Sequence, residues 1–316
     1  MINLKEEYDS YLEQFMELSE ELVDSGMPYM AVILNHELFR YLYPFEPYAD
    51  FQNNNPVNFI IGHIQKLIDT GRMTLQGITP YEFNLSETSF TTNSENIEQE
   101  TSSLYEKLWE GLNEQELKDE SLKLLRGRLS EKVIKNDISG KEVLDMGCGS
   151  GRYSLALSSA GAKKVIGADY NKKSFEVVRK YCEENKRHIQ FEEVNFLDLP
   201  FEDQYFDFVF CNGTIHHSRS ILKSLEELKR VLKKEGKAFI YIYAKNGIFW
   251  DTRVAMRKLF KKIPLGYTQK VLDLIAMPTH RFIFCDVWYV PVELHTDRKS
   301  FEIMLRNLGF EFQKRK

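Results

Sequence analysis

Cysteine is scarce in this sequence: four in 316 residues, Cys148, Cys182, Cys211 and Cys285, with no CxxC pair among them. That spacing suggests neither a disulfide framework nor a zinc site and points to a reducing compartment. No run of about 18 apolar residues occurs, which argues against a membrane-spanning helix. The start, MINLKEEYDS, lacks the cationic stretch and apolar core of a secretory signal, so the cytoplasm is the expected location. Basic residues are few in the first third. Residues 1–95 hold fifteen Asp and Glu against four Lys and Arg, in a chain whose net charge is -5. An acidic surface of that kind disfavours nucleic acid as a partner and reads as a solvated helical exterior. Internal repeats are absent too.

What is present is an ordinary globular composition, 43% hydrophobic and 28% charged, long enough for one large core plus an accessory domain. From Leu4 to about Arg72, apolar residues recur at helical spacing: Tyr11, Phe15, Leu18 and Leu22, then Phe59, Ile60, His63, Ile64 and Leu67. The stretch NLSETSFTTNSENIEQETSS loses that period and reads as a linker. The expected division is a helical accessory region with its linker over 1–95 and a second domain over 96–316. That second domain opens with an amphipathic helical stretch, LYEKLWEGLNEQELKDESLKLLRGRLSEKVI. From Lys141 onward strands alternate with helices, the pattern of crossover units on a parallel sheet. The expected strands are EVLDMG, KVIGADY, IQFEEVNF, FDFVFCN and KAFIYIYAK. The helix in SILKSLEELKRVLKK is expected to stop at Gly236, with lysines near its negative end. DRKSFEIMLRNLGFEFQKR reads as a helix, a stop at Gly309 and a final strand.

The stretch KEVLDMGCGSGRYSLALSSAGAKKVIGADY carries the chemistry. Gly147, Gly149 and Gly151 follow a strand and precede a helix that starts near Arg152, a place where backbone approaches ligands closely. The glycines alone leave three readings open, including a nicotinamide dehydrogenase and a tight connection without a ligand. Asp145 separates them, because a carboxylate two residues before the first glycine is awkward beside a pyrophosphate and suits an ammonium group. Asp169, ending the next strand, falls where an acid accepts two hydrogen bonds from ribose hydroxyls. Ribose plus ammonium without phosphate points to S-adenosylmethionine. Asp198 in NFLDLPF closes the third strand, placed for the adenine amine, with Leu199 beside the ring.

VLDMGCGSGRYSLAL, VIGADYNKKSFEVVRK, VNFLDLPFEDQYFDFVFCNGTIHH and LEELKRVLKKEGKAFIYIY together resemble the class I S-adenosylmethionine-dependent methyltransferases, and come closest to the ubiquinone and menaquinone C-methyltransferase group. The likeness runs from about Lys141 to Lys245. It implies an α/β fold: a doubly wound, mostly parallel, seven-stranded Rossmann-like sheet with one antiparallel strand, for which FEFQKR is suited, beside the N-terminal helical accessory region. It also implies roles. Gly147, Gly149 and Gly151, with Cys148 and Tyr153, would line the methionine and ribose side of S-adenosyl-L-methionine. Asp145 would meet its amino group, Asp169 the ribose, Tyr170 the adenine face, and Asp198 and Leu199 the adenine edge. Asn212 and Gly213 would face the methionine portion and sulfonium. For Tyr170, ordinary packing stays open.

Methyl transfer from a sulfonium needs alignment and, for a protonated nucleophile, a base. His216 and His217 in CNGTIHHSR are the candidates, His217 first, with a packing or loop-shaping role open for both. No cluster of carboxylates marks a catalytic metal, since Asp203 sits in a turn and Asp207 in a strand. Cys211 reads as a small buried apolar residue. Residues 247–296 fall where the resembled family places substrate-covering insertions. From Lys245 to Lys270 there are seven basic residues and one acidic, which reads as a solvated amphipathic helix or as a cationic lid over an anionic substrate or membrane surface. CDVWYVPVELHT reads as irregular. Its Trp288, Tyr289 and His295 would line a substrate pocket if exposed, and anchor the insertion if buried. For the N-terminal helices, a cap, a dimerisation surface and a partner-binding module all stay open. The expected function is methyl transfer to a small metabolite, sugar-like or anionic. The alternatives are tRNA or protein methylation, and a non-catalytic protein of the same fold.

Overall fold

The structure is a computed structural model that describes residues 4–42, 54–77, 104, 122–185, 189–245, 247–275, 278–291 and 293–312. In chain order its main elements are α1 (Leu4–Asp24), α2 (Pro28–Leu42), α3 (Asn54–Gly77), β1 (Glu142–Met146), α4 (Arg152–Ser159), β2 (Lys164–Asp169), α5 (Glu176–Glu184), β3 (Ile189–Glu193), β4 (Phe206–Asn212), α6 (Ile221–Val231), β5 (Leu232–Tyr241), α7 (Ile248–Phe260), α8 (Leu265–Ile275), α9 (Pro278–Tyr289) and α10 (Arg298–Asn307). The chain forms two compact units, one from Met1–Thr91 with Lys245–Val290, the other from Thr92–Ala244 with Pro291–Lys316.

The second unit is an α/β unit. Its five strands run in the order β3-β2-β1-β4-β5, all parallel. Strands buried on both faces read as near-continuous apolar runs, and β1 is buried from Val143 to Met146. The side chains alternate between faces. Leu144, Met146, Ile166, Val209 and Cys211 pack on Leu225 and Leu228 of α6, while Val143, Val165, Phe208 and Phe210 pack on Ala156 and Leu157 of α4. The strand order reverses between β1 and β4, and the crevice at such a reversal is where open α/β sheets bind ligands.

Two expectations change here. The sheet has five strands among the described residues, not seven. Of the segment FEFQKR, residues 310–312 form no strand, and 313–315 lie outside the described residues. The helix expected to reach Gly236 ends at Val231. The carbonyls of Arg230 and Val231 accept the N–H groups of Gln204 (2.8 Å) and Tyr205 (2.9 Å), and Leu232 already pairs with Phe206 as the first residue of β5.

The first unit is helical. In α1 the buried stripe is Tyr8, Leu12, Phe15, Leu18 and Leu22, and in α3 it includes Ile60, Ile64 and Leu67, whereas Phe59 is 65% exposed. Residues 245–290 supply the other half of this core. The Tyr8 hydroxyl donates to the Ile248 carbonyl at 3.2 Å and pairs with Thr252. The Phe39 ring lies 4.6 Å from Trp288. From α7, Arg253 and Arg257 each donate to the Val287 carbonyl at 3.1 Å, and Arg257 also to that of Val290. These carbonyls belong to the end of α9, where a helix has unsatisfied acceptors and a negative dipole end. The stretch that reads as irregular in the sequence is therefore helical through Tyr289. Among the described residues, no helix is long and apolar enough to cross a membrane.

Candidate functional site

The glycine turn joins β1 to α4 at the point of strand reversal. Its N–H groups from Gly147 and Cys148 both donate to the Ala168 carbonyl of β2, at 2.7 and 3.0 Å. Gly147 has φ 85, and a Cβ there would lie 2.1 Å from the Thr214 side chain. Gly151 has φ 75, and a Cβ there would lie 2.2 Å from Val178. Left-handed backbone and absent space both require glycine at these two positions. The turn can thus press against the loop after β4, where the Thr214 hydroxyl donates to the Gly147 carbonyl at 3.4 Å.

Two carboxyls face this turn. Asp145 is buried within β1, and its Oδ2 accepts the Ser154 hydroxyl at 2.7 Å. Burial drives its pKa up to about 7; the nearby charge of Asp169 adds to the rise, and the Ser154 bond opposes it. Asp169 ends β2. Its Oδ2 accepts the Gly149 N–H at 2.8 Å and its Oδ1 the Asn171 N–H at 3.1 Å. Burial raises its pKa, against those backbone bonds. A further backbone bond comes from Tyr170, and a carboxylate with about four acceptor sites still has capacity for a ligand hydroxyl.

The remaining candidates fall into three groups. Asn212 ends β4 beside the turn, and Gly213 follows it. The Asn212 Oδ1 is buried and has no hydrogen-bond partner among the described residues, and the Gly213 N–H donates to the Tyr241 carbonyl at 2.9 Å. His216 and His217 follow in a short helical turn, Ile215–His217; both are buried, and the His216 ring lies 3.9 Å from that of Tyr243. The segment carrying His295 joins them through the Leu294 N–H, which donates to the His216 carbonyl at 2.7 Å, and His295 itself pairs with Glu293.

The second group lies at the edges of the turn and past β3. Cys148 is buried, and burial pushes its thiol pKa well up, which makes it inert. The Tyr153 ring packs on Phe210 at 4.9 Å, and Tyr170 is half-buried. Asp198 is exposed in a turn whose N–H donates to Asn195. Leu199 is a core residue. Its N–H donates to Glu227 and its carbonyl accepts Arg230, both at 2.8 Å. The third group, Trp288 and Tyr289, lies in the helical unit. Trp288 packs among Phe39, Phe260 and Phe284, and the Tyr289 hydroxyl donates to the Ile263 carbonyl at 2.8 Å.

The residues present fit S-adenosylmethionine on three counts: an orphaned buried acceptor at Asn212, a cradle that a Cβ would fill at Gly147, and a buried carboxyl suited to an ammonium group at Asp145. Ser154, Thr214 and the Glu227–Arg230 clamp escape the sequence reading, since their roles depend on neighbours that only the fold supplies. Among the described residues, no group of three or more His, Cys, Asp and Glu is arranged to hold a metal ion.

Comparison with known proteins bears on the family. A methyltransferase-domain family matches residues 144–240. The tRNA U34 carboxymethyltransferase of Campylobacter hominis is 35% identical over 182 residues, covering 57% of this chain and 58% of that one. The protein of the same name from Pseudomonas fluorescens is 41% identical over 104 residues, 32% of each chain. The demethylmenaquinone methyltransferase of Lactococcus lactis subsp. lactis is 38% identical over 185 residues, 56% of this chain and 70% of that one. This chain therefore spans 58% and 32% of the lengths of the two carboxymethyltransferases.

Proposed function

Because the chain belongs to the class I S-adenosylmethionine-dependent methyltransferases, we propose that it transfers the cofactor's methyl group to tRNA, the substrate class in the names of its Campylobacter and Pseudomonas relatives. The observation that carries this reading is that relatives from two different genera, Campylobacter and Pseudomonas, bear the same tRNA-modifying name. The exposed Lys258 and Lys261, in a stretch of seven basic residues against one acidic, supply charge of the sign that phosphates select.

Bound S-adenosylmethionine supplies an electrophilic methyl group on a sulfonium. The chain's own residues bind, orient and handle the proton. The glycine turn admits the ligand, Asp169 holds the ribose hydroxyls, Asp145 the ammonium, and the Asn212 Oδ1 accepts a ligand donor. His217, one turn past β4, takes a proton on its imidazole when the acceptor nucleophile is protonated.

A second reading is a small biosynthetic intermediate as acceptor. The match to the Lactococcus demethylmenaquinone methyltransferase favours it, because it covers the larger share of its relative, 70%. So do Arg253 and Arg257, which are spent on capping α9. The test is incubation of the protein with methyl-labelled cofactor and either total tRNA or a small-molecule extract. Label in nuclease-released nucleosides supports tRNA. Label only in the small-molecule fraction replaces it with the second reading. Cofactor binding with no labelled product in either would mark a binding protein of the same fold.

A further inference from the structure

Ser154 is fully buried on α4, and its hydroxyl points at the Asp145 carboxyl, 2.7 Å away. A third residue makes this contact possible. Gly167 on β2 has no need of glycine for its backbone angles, yet a Cβ there would come within 2.7 Å of the Ser154 oxygen and 2.8 Å of the Phe191 ring. The three elements β1, β2 and α4 thus converge on one hydrogen bond. Among the described residues Asp145 has no cationic partner, an arrangement costly for a charge kept away from water.

We propose that Ser154 is a positioning residue that holds the neutral Asp145 carboxyl ready for a ligand ammonium group, so that cofactor binding expels a proton from Asp145. The proposal rests on the cofactor reading of this site. Through Oδ2, Ser154 fixes the orientation of the carboxyl that the ligand meets. An arriving ammonium is the cation the carboxyl otherwise lacks; it stabilises the ionised form, and the proton leaves to solvent. The groups facing Asp145 are few. Asp169 at the end of β2 raises its pKa, Cys148 in the turn and Cys211 on β4 are thiols that burial holds neutral, and Ser154 opposes the rise. Because Asp145 sits at about 7 without ligand, release is expected below neutrality and vanishes above it, and affinity falls about tenfold per pH unit below that point.

The test is titration calorimetry with S-adenosylhomocysteine in buffers of differing ionisation enthalpy, at a pH one unit below and one unit above neutrality. Wild type should release close to one proton at the lower pH and none at the higher, and methylthioadenosine, which lacks the ammonium, should release none. Asp145→Asn should abolish the release. Ser154→Ala should shift it to higher pH and weaken binding about tenfold at the lower pH, with the gap closing as pH rises; Gly167→Ala, which displaces the hydroxyl without removing it, should act alike. Circular dichroism and melting curves check that both variants fold. Binding without proton release, release that persists in Asp145→Asn (its source then being Asp169), or a Ser154→Ala loss that is equal at every pH overturns the proposal. Absence of any S-adenosylhomocysteine binding by wild type overturns the cofactor reading with it.

Discussion

Asp145 has a consequence for the free protein as well as for its ligand. Its pKa is raised in the fold to about 7, above the usual carboxylate value, so the native state binds more protons than the unfolded chain between about pH 4 and 7. Stability is therefore lost as pH rises through that window. Asp145→Asn keeps an acceptor for Ser154 and carries no charge, so its melting temperature should exceed that of wild type at pH 8 and converge on it towards pH 4. A difference that does not change with pH would remove the buried-charge account. His217 is the second residue whose chemistry can be separated from its packing. If it is a base, His217→Ala should lower turnover by about 10²–10⁴ with cofactor affinity intact; a packing role would lower affinity and melting temperature together, and pH–rate profiles with melting curves distinguish the two. At this scale the sequence is legible where function needs contiguous chain. Asp145, the three glycines and Asp169 lie on one strand–turn–helix–strand run, so their order along the chain nominates them together as candidates. Gly167 and Ser154 are not legible, because their partner atoms are set by how α4 seats on β1 and β2.

The glycine turn shows what an element contributes beyond its residues. Gly147 needs both a left-handed backbone and room for the Thr214 side chain, and these two demands come from the joining of β1 to the loop after β4. Gly147→Ala would strain the backbone and force Thr214 aside, a cost of about 1–3 kcal/mol for the backbone alone. Chemical denaturation should register that loss, and calorimetry should show weaker S-adenosylhomocysteine binding, because the Gly147 carbonyl and Asn212 are attached to the same junction. An alanine variant with wild-type stability and affinity would mean that the turn relaxes freely. The α6–β5 boundary is the opposite case. Helical periodicity runs through SILKSLEELKRVLKK without a break, and what stops the helix at Val231 is the pair of N–H groups from Gln204 and Tyr205, supplied by the turn before β4. Clamping by Glu227 and Arg230 on the carbonyls and N–H groups after β3 is likewise a contact between elements. A periodic pattern carries the interior of such a helix and not its end.

On the scale of the whole molecule, chain order and packing part company. The linker composition marks a boundary after the N-terminal helices, and the α/β unit follows from alternating patterns in near sequence; residues 245–290, however, return to α1–α3 from more than 150 residues away, and no local pattern announces that. Their side chains do the work of a core. Trp288, Phe284 and Phe260 are buried against one another and against Phe39, and Tyr8 reaches Ile248 and Thr252. A variant lacking residues 1–91 would expose that face of α7 and α9. Each large apolar side chain returned to water costs about 1.5–3 kcal/mol, so the remnant helices should not hold their packing. That variant should express as aggregate or bind a dye that reports exposed apolar surface. Removal of 245–290 as well should reverse the defect, with the ends joined across the place where Ala244 and Thr296 already pair as neighbouring strands do. The doubly shortened protein keeps every residue of the glycine turn, Asp145, Asp169 and Asn212, and should bind S-adenosylhomocysteine in calorimetry. A soluble variant lacking only 1–91, with no gain in dye binding, would show that residues 245–290 fold without the N-terminal helices.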